Sequence, residues 1–185
     1  MRRYCLCIAI AMLGWSSTGM ATEAFGIVLH RPLVTQECLK RQDAYLSDDH
    51  EQCYKWPDGA AVSNTLPRDG QIIVNIPLQD RPGYMSGSDV MVGLKDGLVV
   101  SLSVRTHRGE ENLHDYRALV DEFGEPPGAA SQQAALPNEF HSLLANWTLP
   151  DGATVYYNST EWNAVAGLVR VQWPTANAHQ SGAWD

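Results

Sequence analysis

Few residues of this chain are of types that carry out covalent chemistry, and their spacing narrows what they can do. Outside an apolar N-terminal segment the cysteines are Cys38 and Cys53, with His50 between them. Two thiols and one imidazole lack a fourth ligand for a zinc site. The pair is therefore expected to form a disulfide, closing a loop that stabilises the fold by roughly 3 kcal/mol through the unfolded state. Asp48-Asp49-His50-Glu51 offers hard oxygen ligands, but adjacent side chains do not converge on one ion. The run reads as a solvated acidic patch, and Asp48, Asp49 and Glu51 are candidates for contact with a basic protein partner. No metal and no cofactor are expected.

A nucleophile is equally hard to find. There is no Gly-x-Ser-x-Gly elbow, and Ser86-Gly87-Ser88-Asp89 reads as a Gly-rich loop without a base nearby in sequence. His114 and Asp115 are neighbours on an expected helix, where successive side chains diverge by about 100°. They are expected to face solvent rather than to form an acid–base pair. No His-Glu-x-x-His, EF-hand or phosphate-cradling loop appears, and no basic stretch with interleaved aromatics. No catalytic residue is assigned and the chain is not expected to be an enzyme. Of the aromatic residues, Trp147 and Trp173 lie within strand patterns and should be core. Trp162, between Tyr156-Tyr157 and a strand, is the better surface candidate, and Tyr157 and Trp162 are taken as possible contact residues.

The N-terminus points to export. Met1-Arg2-Arg3 precedes an apolar run from Tyr4 to Trp15, which gives way to the small and polar residues 16–21. Basic start, short apolar run and small-x-small ending make a signal peptide, residues 1–21, cleaved after Ala21. The run is too short to span a membrane, and Cys5 and Cys7 lie at its start rather than at its end, where lipid would attach. No membrane insertion is expected after removal, and the location is periplasmic or secreted. Removal takes two arginines and no acid, so the formal charge moves from -8 to -10. Such a balance repels nucleic acid and favours solubility or a basic partner.

The elements that must position these residues are strands, hairpins and one helix, within a single domain over residues 22–173 and a flexible tail over 174–185. Phe25 to Leu29 reads as a strand or an extended lead-in, and residues 36–54 as an irregular or short helical stretch pinned by the disulfide. Gln71 to Ile76 is a strand ended by Pro77. Asp96-Gly97 and Asp151-Gly152 each lie between β-rich runs and predict hairpins. In the run after Gly97, Leu98, Val100, Leu102 and Val104 fall on one face, with Ser101, Ser103 and Arg105 on the other. Leu113, Tyr116, Leu119, Val120 and Phe123 mark the stripe of a helix that Gly124 and Pro126-Pro127 stop. Residues 165–173 read as a closing strand. The expected fold is α+β, a mainly antiparallel sheet of hairpins with one principal helix packed on one face.

The stretch Tyr116 to Pro126, containing Phe123-Gly124-Glu125-Pro126, followed by Trp147 and then Asp151 to Val155, resembles a pattern of small exported bacterial proteins. It is similar to the small outer-membrane assembly lipoproteins and the β-lactamase-inhibitor-like fold. The Gly26 to Leu33 stretch, with Cys38 and Cys53, also resembles certain uncharacterised periplasmic proteins. The chain departs from these patterns in lacking a lipid-bearing cysteine and a second helix motif. The resemblance implies a non-enzymatic binding role on the sheet face and carries over no ligand residue. Together these features lead to an expected protein-binding module, an inhibitor or immunity-type factor against a basic envelope enzyme. The alternatives are an accessory or assembly subunit of an envelope complex and a glycan hydrolase built on two carboxylates.

Overall fold

The computed structural model describes residues 21–41, 44–45, 50–57, 65–108, 111–128, 131–134, 141–162 and 166–174. The expected signal peptide up to residue 20, the tail beyond residue 174, and Asp48 and Asp49 lie outside them.

The N-terminal third is built from very short strands. Phe25 and Gly26, both at positive φ (58° and 70°), form a two-residue turn between β1 (Glu23–Ala24) and β2 (Ile27–Val28). Glycine takes this conformation freely, and Phe25 is held in it by burial and an edge-on contact with Tyr84 at 6.3 Å. The segment expected as one strand or lead-in is therefore folded back on itself. Next come β3 (Gln36–Glu37), β4 (Lys40–Arg41), β5 (Ala44–Tyr45) and β6 (Cys53–Lys55). Among its described residues, the stretch expected to be irregular or helical thus forms short strands. β4 pairs only with β5, whereas β3 lies parallel to β6. The expected disulfide is present: Cys38 and Cys53 are bonded and buried.

The remainder is made of longer hairpins. β7 (Gly70–Asn75) ends before Pro77 and a single 3-10 turn, Leu78–Asp80. β8 (Asp89–Lys95) and β9 (Leu98–Arg108) are joined through Asp96 and Gly97, both at positive φ, as the Asp-Gly turn demands. Then follow α1 (Asn112–Phe123), β10 (Ser131–Ala134), β11 (His141–Thr148), β12 (Thr154–Trp162) and β13 (Ala166–Gln172). Among the described residues one nine-stranded sheet runs in the order β10-β11-β12-β13-β9-β8-β7-β6-β3. It is antiparallel except for the β3–β6 pair, so the sheet is mixed, and the helix is a minor part of the whole. No helix of the described residues is long and apolar enough to cross a membrane.

The core face carries Ile72, Val74, Val90, Val92, Leu102, Val104, Val155, Val169 and Val171. One expectation for β9 is overturned. Val99 is buried, while Leu98 and Val100 are not, because Gly93 pairs with Ser101 but Leu94 pairs with Val99. The extra residue on β9 is a β-bulge, which inverts the inside–outside alternation on one side of it. The Ser101 hydroxyl occupies the space a Cβ at Gly93 would take, so a side chain opposite the bulge would have to displace that hydroxyl. The freed backbone of Val99 is used by the N-terminal third: His30 N–H donates to the Val99 carbonyl at 2.7 Å, and Val99 N–H donates to Arg31 at 2.9 Å.

The helix is held at both ends by aromatic residues of the sheet. Trp147 Nε1–H donates to the Gly124 carbonyl at 2.6 Å, and the Tyr157 hydroxyl donates to the Asn112 carbonyl at 3.2 Å. Gly124, at φ 80°, turns the chain out of the helix while its N–H still reaches Val120. Leu113, expected in the buried stripe, is 49% exposed. The rest of the expected stripe holds, with Leu119 buried and Tyr116, Val120 and Phe123 packed against the core, but Asp115 is buried with it in place of Leu113.

Candidate functional site

Two places in the fold combine exposure with unusual chemistry. The first is a cleft at the end of β9. Between the pairs Leu168↔Arg105 and Ala166↔Arg108, β9 has two residues where β13 has only Gly167. This second bulge is accommodated because Gly167 has no side chain: a Cβ there would collide with Thr106 and lie 2.8 Å from Ser159 Cα. The bulge turns His107 toward the helix. Its backbone N–H donates to Asp115 Oδ2 at 2.9 Å, and its Nδ1 lies 2.7 Å from Asp115 Oδ1. Glu111 Oε2 is further away, 3.8 Å from the same ring nitrogen.

Asp115 is fully buried, and a buried carboxylate survives only when its oxygens are partnered. Both are, through the main chain and side chain of a single residue. The carboxylate thereby fixes the imidazole, with Nδ1 as the hydrogen-bonded nitrogen. Nearby, Ser86 N–H and Oγ–H donate to the Arg105 carbonyl, and Arg105 Nε donates to Ser86 Oγ at 3.3 Å. A depression of about 290 Å³ is lined by Ser86, Arg105, Thr106, His107, Arg108 and Glu111. Arg105 also borders a second depression of about 410 Å³, over Ile73, Met91 and Ser103 on the outer sheet face. Two arginines and an oriented histidine beside an apolar floor suit an anionic group on an apolar body.

The second place is the edge formed by β3. Val34 is 93% exposed and Leu39 is 70% exposed, on either side of a strand tied to β6 by the disulfide. Glu51, exposed, accepts a hydrogen bond from Gln36 Nε2 at 3.1 Å. The Thr35 hydroxyl donates to the Gln52 carbonyl at 3.0 Å. An acidic side chain and two bare apolar ones thus share a covalently fixed edge.

The residues singled out from sequence divide accordingly. Cys38, Cys53 and Glu51 meet at the β3 edge, whereas Asp48 and Asp49 lie outside the described residues. Trp162 is the last residue of β12, paired with Ala166. Tyr157 is not a surface contact: it is completely buried, because it stands on the inner face of β12. Burial and the neighbouring Asp115 charge push its phenol well above the ordinary tyrosine range. Asp115 is also corrected, from a solvent-facing helix residue to a core one, while His114 is exposed. Trp147 is core as expected; Trp173 is only partly buried and stacks on His30 at 4.7 Å. The His107–Asp115 pair was missed. Its one sequence signal is an acid placed one helical turn before the core residue Leu119.

No protein-family model, curated protein or solved structure matches the chain.

Proposed function

We propose that this is an exported protein-binding module whose docking surface is the disulfide-tied β3 edge, and that it acts as an inhibitor or immunity-type factor toward a basic envelope enzyme. The supporting observation is the placement of Val34, Leu39 and Glu51 on one covalently fixed edge. Large exposed apolar side chains are normal singly, but beside an acid on a pre-ordered strand they form the apolar core and charged rim of a protein interface. Pre-ordering lowers the entropic cost of docking. The formal charge, -8 for the full chain and -10 once residues 1–21 and their two arginines are removed, steers a basic partner toward it. The disulfide belongs with an oxidising compartment, in line with a periplasmic or secreted location and with the signal-like residues 1–21. The α+β framework and the likeness to small exported bacterial binding proteins remain part of this reading.

The test is capture of envelope proteins on the oxidised chain beginning at Thr22, eluted with salt, followed by assay of what is released. The proposal expects a basic enzyme that elutes at moderate salt and loses activity when the chain is added back. Changing Val34 and Leu39 to serine and Glu51 to alanine should weaken inhibition at least ~tenfold, or about 1.4 kcal/mol. An enzyme inhibited equally by that variant would refute the β3 edge as the docking surface. Envelope subunits that persist through high salt would instead mark an assembly role.

A second reading, a hydrolase, is favoured by the His107–Asp115 pair. Here an oriented imidazole, rather than two carboxylates, would serve as general base beside Arg105 and Arg108. Turnover by the purified chain, abolished by His107→Gln, would establish it.

A further inference from the structure

Thr22 is nearly buried, at 8% exposure, although it opens the first strand pair. Its backbone nitrogen lies 2.6 Å from Asp151 Oδ2, and its carbonyl accepts from Leu29 N–H at 2.9 Å. Asp151 sits in the turn between β11 and β12, 129 residues away in sequence. Its other oxygen, Oδ1, accepts from Ala153 N–H at 3.1 Å. A carboxylate thus receives, across the fold, the nitrogen that follows Ala21, the residue after which the small-x-small pattern places cleavage.

We propose that hydrolysis of the Ala21–Thr22 bond makes Thr22 a structural N-terminus, whose new α-ammonium forms an ion pair with Asp151 and locks the β1–β2 hairpin to the β11–β12 turn. The proposal rests on the export reading. Water supplies a hydroxyl to the Ala21 carbonyl carbon, the C–N bond breaks, and the Thr22 nitrogen leaves as an amine. An envelope signal peptidase is the catalyst. An α-amino group ordinarily titrates near about 8, so it takes up a proton at neutral pH. Before cleavage the nitrogen offers Asp151 one neutral N–H; afterwards it offers an ammonium, and a charge-assisted bond is about twice as strong. Burial alone would raise the Asp151 carboxyl, but the bonds from Thr22 and Ala153 outweigh it and hold it below the usual range. This is the environment of an acid that already accepts strong donors.

The consequence is that the N-terminal third has two ties made only after export, the Thr22–Asp151 pair and the Cys38–Cys53 bond. Before processing and oxidation the ion pair to the β11–β12 turn is absent and β3 and β6 are not bonded to each other, which favours a chain that must cross a membrane unfolded.

Two measurements test this. The full chain is expressed with residues 1–21, and the mass of the product in the envelope fraction is read; it should begin at Thr22. Then the chain beginning at Thr22, free or Nα-acetylated, is melted in the native form and as Asp151→Asn. Asparagine keeps an oxygen for Ala153 N–H but carries no charge. Acetylation should lower the melting temperature by about 3 °C in the native chain and leave the Asp151→Asn chain unchanged, a shift readily resolved for a chain of this size. Equal shifts in both, or none in either, would overturn the ion pair. An exported chain beginning elsewhere would overturn the proposal and leave the export reading standing. A full-length chain kept inside the cell would overturn both.

Discussion

The two regions of this molecule are held together by different means. In the N-terminal third, strands of two or three residues depend on a disulfide, on the Val99 backbone and on Asp151. From Gly70 to Gln172, several strands of six to eleven residues are paired by hairpins, with the helix clamped between Trp147 and Tyr157. Short strands cannot bury enough apolar surface to offset the entropy of ordering them. Long hairpins supply their own hydrogen-bond ladders and core face. The covalent tie therefore appears where the strands are shortest, and the exposed apolar residues Val34 and Leu39 flank the strand beside it. The proposed docking role draws on this pair of bare side chains beside a disulfide-held strand.

Substitutions on either side sharpen this contrast. The largest effect is expected in the hairpin region from Asp115→Ala, which strips the partner from both the His107 N–H and imidazole. A loss of about 3 kcal/mol should appear in urea denaturation, and Asp115→Asn should retain part of it. Removing the tie in the other region, with Cys38→Ser and Cys53→Ser, should cost about 3 kcal/mol at most, by the loop-closure model. Trp147→Phe keeps a six-membered aromatic ring but deletes the bond to Gly124 and half of the buried indole, and should cost about 2 kcal/mol, read as a lower denaturation midpoint. The smallest stability effect belongs to Val34→Ser, within about 0.5 kcal/mol of zero, although partner affinity should fall.

Asp151 adds a pH signature. Its carboxyl is lowered in the folded chain, so its contribution is fully present above the unfolded aspartate value of about 3.9. The contribution disappears as pH falls through the lowered folded value. The stability difference between the native chain and Asp151→Asn should hold from neutral pH to about 5 and vanish in stronger acid. A difference that grew in acid would contradict the assigned contact.

What could be read from sequence follows the range of the physics behind it. Asp96-Gly97 and Asp151-Gly152 specify turns through their own backbone preferences, and Gly124 stops the helix in the same local way. The cysteine pair needed only spacing and compartment. The bulges were not legible, because each is a register shift between strands distant in sequence, at Gly93 and Leu94 opposite Ser101 and Val99 and at Gly167 opposite Thr106 and His107. One bulge inverted the expected facing of Leu98, Val99 and Val100; the other brought His107 to Asp115. Tyr157 was misplaced for a related reason: alternation along a strand shows two faces but not which is inner. The β3 edge was half legible, as Glu51 and the cysteines could be named, while the exposure of Val34 and Leu39 required the fold.

Hydrogen exchange resolved by segment, on the oxidised chain beginning at Thr22 and on the same chain reduced, tests the division most directly. Reduction should deprotect Gln36 to Lys55 and leave β7 to β9 and β11 to β13 protected. Uniform loss of protection across both regions, or none at Gln36 to Lys55, would contradict an N-terminal edge held by its own ties.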